Sequence, residues 1–183
     1  MIVSLQEVQT IVKGLGHRDR TNPEGAGVDL RLGEVHRIVG GKAFIEADGP
    51  SGQGLRSGFE TEVVMQYQAA PGKAQKKLVL KPGDYYLIKT IETVDIPLTA
   101  LADFRARSSL FRAGLCLLTT VGSPGYHGEL IFGLYNMGPL PVTLQMGARI
   151  CTAVFHRLET VGNAYRGQHQ DGRVTSAGVE QQV

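Results

Sequence analysis

Two adjacent hydroxyls between two arginines are the residues best suited to chemistry, in Arg107-Ser108-Ser109-Leu110-Phe111-Arg112-Ala113-Gly114-Leu115. Short hydroxyl donors can sit close to an anion, and guanidinium forks match phosphate oxygens two at a time. The stretch suits a phosphate chain. It equally fits a plain helix start, with Ser108 or Ser109 as the N-cap and Arg112 as a solvated charge. A helix N-terminus is itself an anion site, so both uses are compatible. Groups that could move a proton lie nearby: Asp103, His127 and Glu129. No Asp or Glu occurs from Leu115 to Gly128, so that span offers no carboxylate base. Cys116 and Cys151 each lie in an apolar stretch and read as buried, reduced thiols. Without a Cys-x-x-Cys spacing they do not make a zinc site.

The elements that must position these residues are mostly short strands. Apolar runs at residues 78–80, 85–88, 90–97, 116–121, 129–136, 142–144 and 149–155 alternate with turn residues every 8 to 12 positions or so, the pattern of a sandwich or barrel. Residues 27–33 alternate apolar and charged and read as a further strand entered through a tight turn. Residues 60–68 alternate weakly. Residues 4–14 differ: Leu5, Val8, Ile11 and Val12 fall at helical spacing, Ser4 and Glu7 have capping-box spacing, and Gly14 is a stop. Residues 40–58 form a glycine-rich excursion with few bulky side chains. Residues 162–183 are polar and rich in Gly and Gln, a composition that is disordered in isolation.

The chain has 183 residues, enough for one domain with a sizeable core. Its 19 basic and 17 acidic side chains nearly balance, which argues against general nucleic-acid binding. No apolar run approaches the roughly 20 residues of a membrane span. No signal-peptide pattern is present, so the expectation is a cytoplasmic protein with no membrane partner.

The order of segments resembles the dCTP deaminase and dUTPase superfamily. Ala26-Gly27-Val28-Asp29-Leu30-Arg31-Leu32-Gly33 is similar to its first motif. Leu80-Lys81-Pro82-Gly83-Asp84, with Thr90-Ile91-Glu92 and Pro97, resembles the region before the second. Residues 107–115 resemble the second motif in its deaminase-type form. Pro124-Gly125-Tyr126-His127-Gly128-Glu129 resembles the end of the third, and Gly147-Ala148-Arg149-Ile150 with Phe155 the fourth. Ala164-Tyr165-Arg166-Gly167-Gln168 resembles the deaminase-type tail.

The resemblance implies a mainly β fold: a dUTPase-like β-barrel or distorted jelly roll with a short N-terminal helix and a flexible C-terminal tail. Residues 1–161 would be the β domain, with 40–58 as an excursion, and 162–183 a tail that orders over the nucleotide. It implies a homotrimer with active sites between subunits, a deoxypyrimidine nucleoside triphosphate ligand, and Mg²⁺ carried with the nucleotide. Arg107, Ser108, Ser109 and Arg112 would hold the phosphates. Asp29 would order the metal-bound phosphates through water. Tyr126 would lie against the deoxyribose, and Tyr165 and Gln168 would close over the ligand.

The resemblance breaks where a base is needed. Deaminases of this superfamily use a glutamate, and the matching position is Gly133. dUTPases use an aspartate three residues before the motif tyrosine, and here that position is Ser123. Glu129 is the nearest substitute in sequence. The favoured expectation is dUTPase-like hydrolysis of dUTP to dUMP and pyrophosphate. The alternatives are a silent or regulatory nucleotide binder and a dCTP deaminase.

Overall fold

The computed structural model describes every residue except 51, 70, 71, 73, 177 and 183. The chain begins with helix α1 (Leu5–Ile11), strand β1 (Val12–Lys13) and helix α2 (His17–Thr21). Strand β2 (Val28–Gly40) follows, then β3 (Phe44–Ile45), β4 (Leu55–Ser57) and β5 (Glu60–Gln66). Next come β6 (Lys77–Leu80), β7 (Tyr85–Asp95), β8 (Ala100–Ala106) and the short helix α3 (Ser108–Arg112). The last part holds β9 (Leu115–Leu118), β10 (His127–Asn136), β11 (Val142–Gln145), β12 (Arg149–Arg157), a 3-10 turn (Gln170–Gly172) and β13 (Val179–Gln181).

The expected short helix forms as its spacing requires. The Ser4 hydroxyl accepts from the Glu7 backbone N–H at 3.3 Å, and Val8 and Ile11 are buried. It ends earlier than Gly14, because Val12 and Lys13 pair with Val94 and Thr93 as a strand. Residues 85–88 and 90–97 are not two strands: β7 is continuous from Tyr85 to Asp95. The strand read at 27–33 runs on to Gly40. Its alternation is interrupted where β2 shifts register against β7 between Leu32 and Glu34, and that shift hides the strand's length.

The main sheet is antiparallel, in the order β8-β12-β2-β7-β10-β9, with β1 added to β7 and β5 to β2. Its two ends meet. Ala102 of β8 and Gly122, beyond β9, exchange backbone bonds of 2.9 and 2.8 Å, so the sheet closes into a barrel-like wrap. The inside is apolar, with Leu30, Leu32, Ile88, Leu134, Ile150 and Phe155 fully buried and Phe104 against Phe132 at 5.4 Å. β6 and β11 form a two-stranded sheet, and β3, β4 and β13 a three-stranded one.

One buried charge ties this core together. Glu92 of β7 is wholly buried and accepts from the Arg31 backbone N–H at 2.7 Å and from its Nε at 2.6 Å. Arg31 also donates to the Gly14 carbonyl at 2.6 Å, fixing the turn after β1. Burial pushes the Glu92 carboxyl above its ordinary 4.5, against the pull of the Arg31 bonds. The folded chain therefore holds this proton to higher pH than the unfolded chain does. The group's contribution to stability falls as pH rises from the ordinary value through the folded one. Glu92→Gln removes this titration. The melting-temperature advantage of wild type over the variant should shrink across that window and then level. A difference that stays constant from about pH 4 to about pH 7 would refute the assignment.

Candidate functional site

The first cleft is built around Asp29. β12 lies between β2 and β8, and its register places Thr152 beside Asp29 on one side and Arg105 on the other. Arg107, just past the end of β8, is tied to β12 by its N–H on the Ile150 carbonyl at 3.1 Å. Asp29 Oδ2 accepts from Arg107 and, at 3.0 Å, from Arg149, while Arg18 of α2 stands at 3.5 Å. Its Oδ1 accepts from the Thr152 hydroxyl at 2.9 Å. The Asp29 backbone N–H donates to Asp19 at 3.0 Å. Arg18, Asp19, Glu24, Asp29, Arg107, Ser108 and Thr152 line a polar cleft of about 300 Å³.

This differs in detail from the sequence expectation. The N-cap of α3 is Arg107, not Ser108 or Ser109, and no side chain caps the helix. Ser108 lines the cleft, whereas Arg112 faces outward with its guanidinium 5.9 Å from the Phe111 ring. Both Asp29 oxygens have protein partners. That arrangement does not fit a resident metal ion on Asp29, so no step is assigned to one. Among the described residues no group of three His, Cys, Asp or Glu side chains is placed to hold a metal ion. Arg18, Arg149 and Thr152 were not legible as site residues; the only signal was Arg149 within Gly147-Ala148-Arg149-Ile150.

The second cleft surrounds Tyr126. Phe104, Val121, Ser123, Tyr126, Leu130 and Phe132 form its body, and Tyr165, His169 and Arg173 of the tail its outer wall, enclosing about 270 Å³. The Tyr126 hydroxyl donates to the Glu129 carbonyl, and its ring meets Tyr165 edge-on at 5.3 Å. Burial pushes the Tyr126 phenol up to about 12, so it remains a neutral donor at working pH. The tail is not loose here. Tyr165 N–H donates to the Pro124 carbonyl at 2.7 Å. The Gln170 carboxamide accepts from His127 N–H at 3.0 Å and donates to the Gly125 carbonyl at 3.1 Å. Gln168 turns its carbonyl to Arg56 of β4. The two clefts share no lining residue.

The proton-transfer candidates are elsewhere. Glu129 is outside the lining of the Tyr126 cleft and lies 3.8 Å from Lys89, which also faces Glu34 at 3.9 Å. Burial alone would raise the Glu34 carboxyl, but bonds from Gln66 and His36 and the charge of Lys89 leave it lowered. Asp103 pairs with Arg105 at 2.7 Å, and His127 pairs with Asp171 at 3.0 Å. Position 133 is crowded: a Cβ there would stand 2.8 Å from the Tyr85 hydroxyl and 3.2 Å from Leu118. Cys151 is fully buried, with burial pushing its thiol up to about 12; Cys116 is only partly buried, against expectation.

The family model for dCTP deaminase-like proteins matches residues 2–158, which include β2, the 107–115 stretch and the Tyr126 turn. This chain belongs to the dCTP deaminase-like family. It is 36% identical over 137 residues to the "dCTP deaminase, dUMP-forming" of Dictyoglomus thermophilum, a match covering 73% of this chain and 65% of that protein. The chain thus spans just under two thirds of that relative's length. It is 36% identical over 122 residues to the dCTP deaminase of Pyrococcus furiosus, covering 66% of this chain and 77% of the relative. With the dCTP deaminase of Halorubrum lacusprofundi the identity is 32% over 177 residues, covering 92% and 83%. The crystal structure of the 2'-deoxycytidine 5'-triphosphate deaminase of Agrobacterium tumefaciens superposes with a TM-score of 0.60 at 19% identity, covering 85% of this chain and 48% of that one. That likeness shows the shared fold.

Proposed function

We propose that this protein binds a deoxypyrimidine nucleoside triphosphate, the substrate class named in its deaminase relatives, and lacks the carboxylate that would turn it over. Arg107, Ser108, Ser109 and Arg112 take the phosphates. Tyr126 takes the sugar and Tyr165 closes the Tyr126 cleft, with Gln168 on the same segment of the tail. Mg²⁺ enters with the nucleotide. The two clefts share no residue in one chain, which supports a homotrimer that sets the Ser108 end of one copy against the Tyr126 cleft of another. Tyr85, Leu118 and Tyr135, exposed around Gly133, suit such a contact.

The observation that carries the reading is that the Tyr126 cleft has no carboxylate in its lining among the described residues, while those of the Ser108 cleft are already engaged: Asp29 by Arg107, Arg149 and Thr152, Asp19 by the Asp29 N–H and Glu24 by Arg18. Gly133 supplies no side chain, and the space a longer residue would enter is occupied by Tyr85 and Leu118. Loss of a general base typically costs about 10²–10⁴-fold in rate. The second reading is conversion to dUMP, by dUTPase-like hydrolysis or by deamination with hydrolysis. The "dUMP-forming" name of a relative favours it, with Glu129 as the base.

The test incubates the full chain with Mg²⁺ and dCTP or dUTP and follows melting temperature, ammonia and pyrophosphate. The expected result is a rise of roughly 5–11 °C at a ligand concentration of about 100 times Kd, with neither product. Ammonia from dCTP, or pyrophosphate from dUTP, overturns the claim of silence. No thermal shift with either nucleotide overturns the binding reading.

A further inference from the structure

The glycine-rich excursion and the C-terminal tail are far apart in sequence, yet they form one small sheet. β4 pairs on one edge with β3, Phe44 opposite Ser57 and Ile45 opposite Arg56. On its other edge it pairs with β13, Val179 opposite Ser57, Glu180 opposite Arg56 and Gln181 opposite Leu55. Six further hydrogen bonds lock the pairing. The Arg56 guanidinium donates to the Gln168 side-chain oxygen Oε1 through Nε at 3.0 Å and through a second nitrogen. The Gly58 N–H donates to the Ser176 hydroxyl at 2.8 Å, and the Thr175 hydroxyl to the Phe59 carbonyl at 2.8 Å. Gln182 donates from its backbone to the Gly54 carbonyl at 2.8 Å and from its side chain to the Glu46 carbonyl at 2.7 Å.

The interface has no room to spare. A Cβ on Gly58 would stand 2.4 Å from the Thr175 hydroxyl oxygen and 3.1 Å from that of Ser176. Under the strand, Arg173 pairs with Glu180, whose other carboxylate oxygen is buried with no hydrogen-bond partner among the described residues. The strap is therefore specified at both ends. Gln170 fixes it to the Tyr126 turn, and β4 fixes its last residues. The excursion is itself anchored, because it joins β2 to β5, which pair in the main sheet. The strap also forms a wall of the Tyr126 cleft through Tyr165, His169, Arg173 and Val174.

We infer that the glycine-rich excursion, through β4, is the dock of the C-terminal strap that ends in β13: it holds the strap's wall of the Tyr126 cleft in place with no ligand bound. A polar tail normally needs its ligand to become ordered. Here a strand edge supplied by the same chain does that work through backbone pairing, as in strand addition to a sheet edge. The inference concerns the placement of that wall alone and does not depend on which molecule the cleft takes or on any turnover.

The test is hydrogen exchange read by mass spectrometry on the full chain, with no nucleotide, for wild type, Arg56→Ala and Gly58→Val. In wild type, amides of residues 179–182 should exchange at least about 10-fold slower than in a free chain. In both variants they should come within about threefold of the free-chain rate, and peptides from residues 120–132 should speed up with them. β12 peptides report whether the barrel is intact. If Gly58→Val loses β12 protection, Arg56→Ala decides. Free-chain exchange of the strap in wild type overturns the inference. So does a strap that stays protected in an Arg56→Ala variant, or cleft peptides that do not follow the strap.

Discussion

Asp29→Ala should lower the melting temperature by about 6–12 °C, corresponding to a loss of about 3 kcal/mol. The Asp29 side chain is 8% exposed and meets three guanidiniums, those of Arg107, Arg149 and Arg18. Removing the carboxylate leaves like charges facing one another in a cleft that water reaches only in part. The figure sits at the low end for a broken buried pair because the arginines remain 27% and 37% exposed. Asp29→Asn keeps a partner for the Thr152 hydroxyl but loses the charge, and should fall between wild type and Asp29→Ala. The freed guanidiniums then need an anion. Inorganic phosphate should recover part of the lost melting temperature in Asp29→Ala and do much less for wild type. An Asp29→Ala protein that melts within 2 °C or so of wild type would show that the cluster is held by its backbone alone.

The second large effect is Gly33→Ala, which should cost about 2–3 kcal/mol, or about 4–12 °C in melting temperature. Gly33 sits where β2 and β7 slip register, and its carbonyl leaves the ladder to accept from the Tyr67 N–H at 2.7 Å. A Cβ would meet the Thr90 carbonyl oxygen at 2.7 Å and carbon at 2.8 Å, and the Ile91 nitrogen at 2.9 Å. These are backbone atoms of a central strand and cannot swing away as a side-chain tip can. Gly40→Ala, at the far end of the same strand, is the control. Its Cβ would meet only the tip of Glu60 at 3.5 Å, so it should change stability by no more than about 0.5 kcal/mol. Equal melting shifts for the two variants would remove the steric account.

What the sequence made legible was local. The Ser4 and Glu7 spacing predicted a cap that forms, and the turn-punctuated apolar runs predicted a mainly β sandwich or barrel, of which the family resemblance chose the barrel. Interactions between distant segments were not legible. Arg18, Asp29, Arg107, Arg149 and Thr152 come from four places in the chain, and the register of β12 between β2 and β8 brings all but Arg18 of α2 together. The tail looked disordered because its composition offers little to bury. Its order comes from pairing with β4, more than a hundred residues earlier, and no local pattern encodes a strand edge waiting elsewhere. Ser108 and Ser109 looked like caps because hydroxyls favour that position. The bond of Arg107 to Ile150 ends β8 at a point that makes the arginine the boundary residue instead.

The seam between Ala102 and Gly122 gives the Tyr126 cleft a second significance. The first and last strands of the barrel path meet there through two backbone bonds and the Thr119 hydroxyl on the Phe104 carbonyl at 3.0 Å, and Phe104, Gly122 and Ser123 beside that junction also line the cleft. A molecule seated in it would touch both edges of the wrap at once. It would act as a staple across the hoop's narrowest joint, so occupancy of one small pocket would be felt as stiffness around the whole circumference.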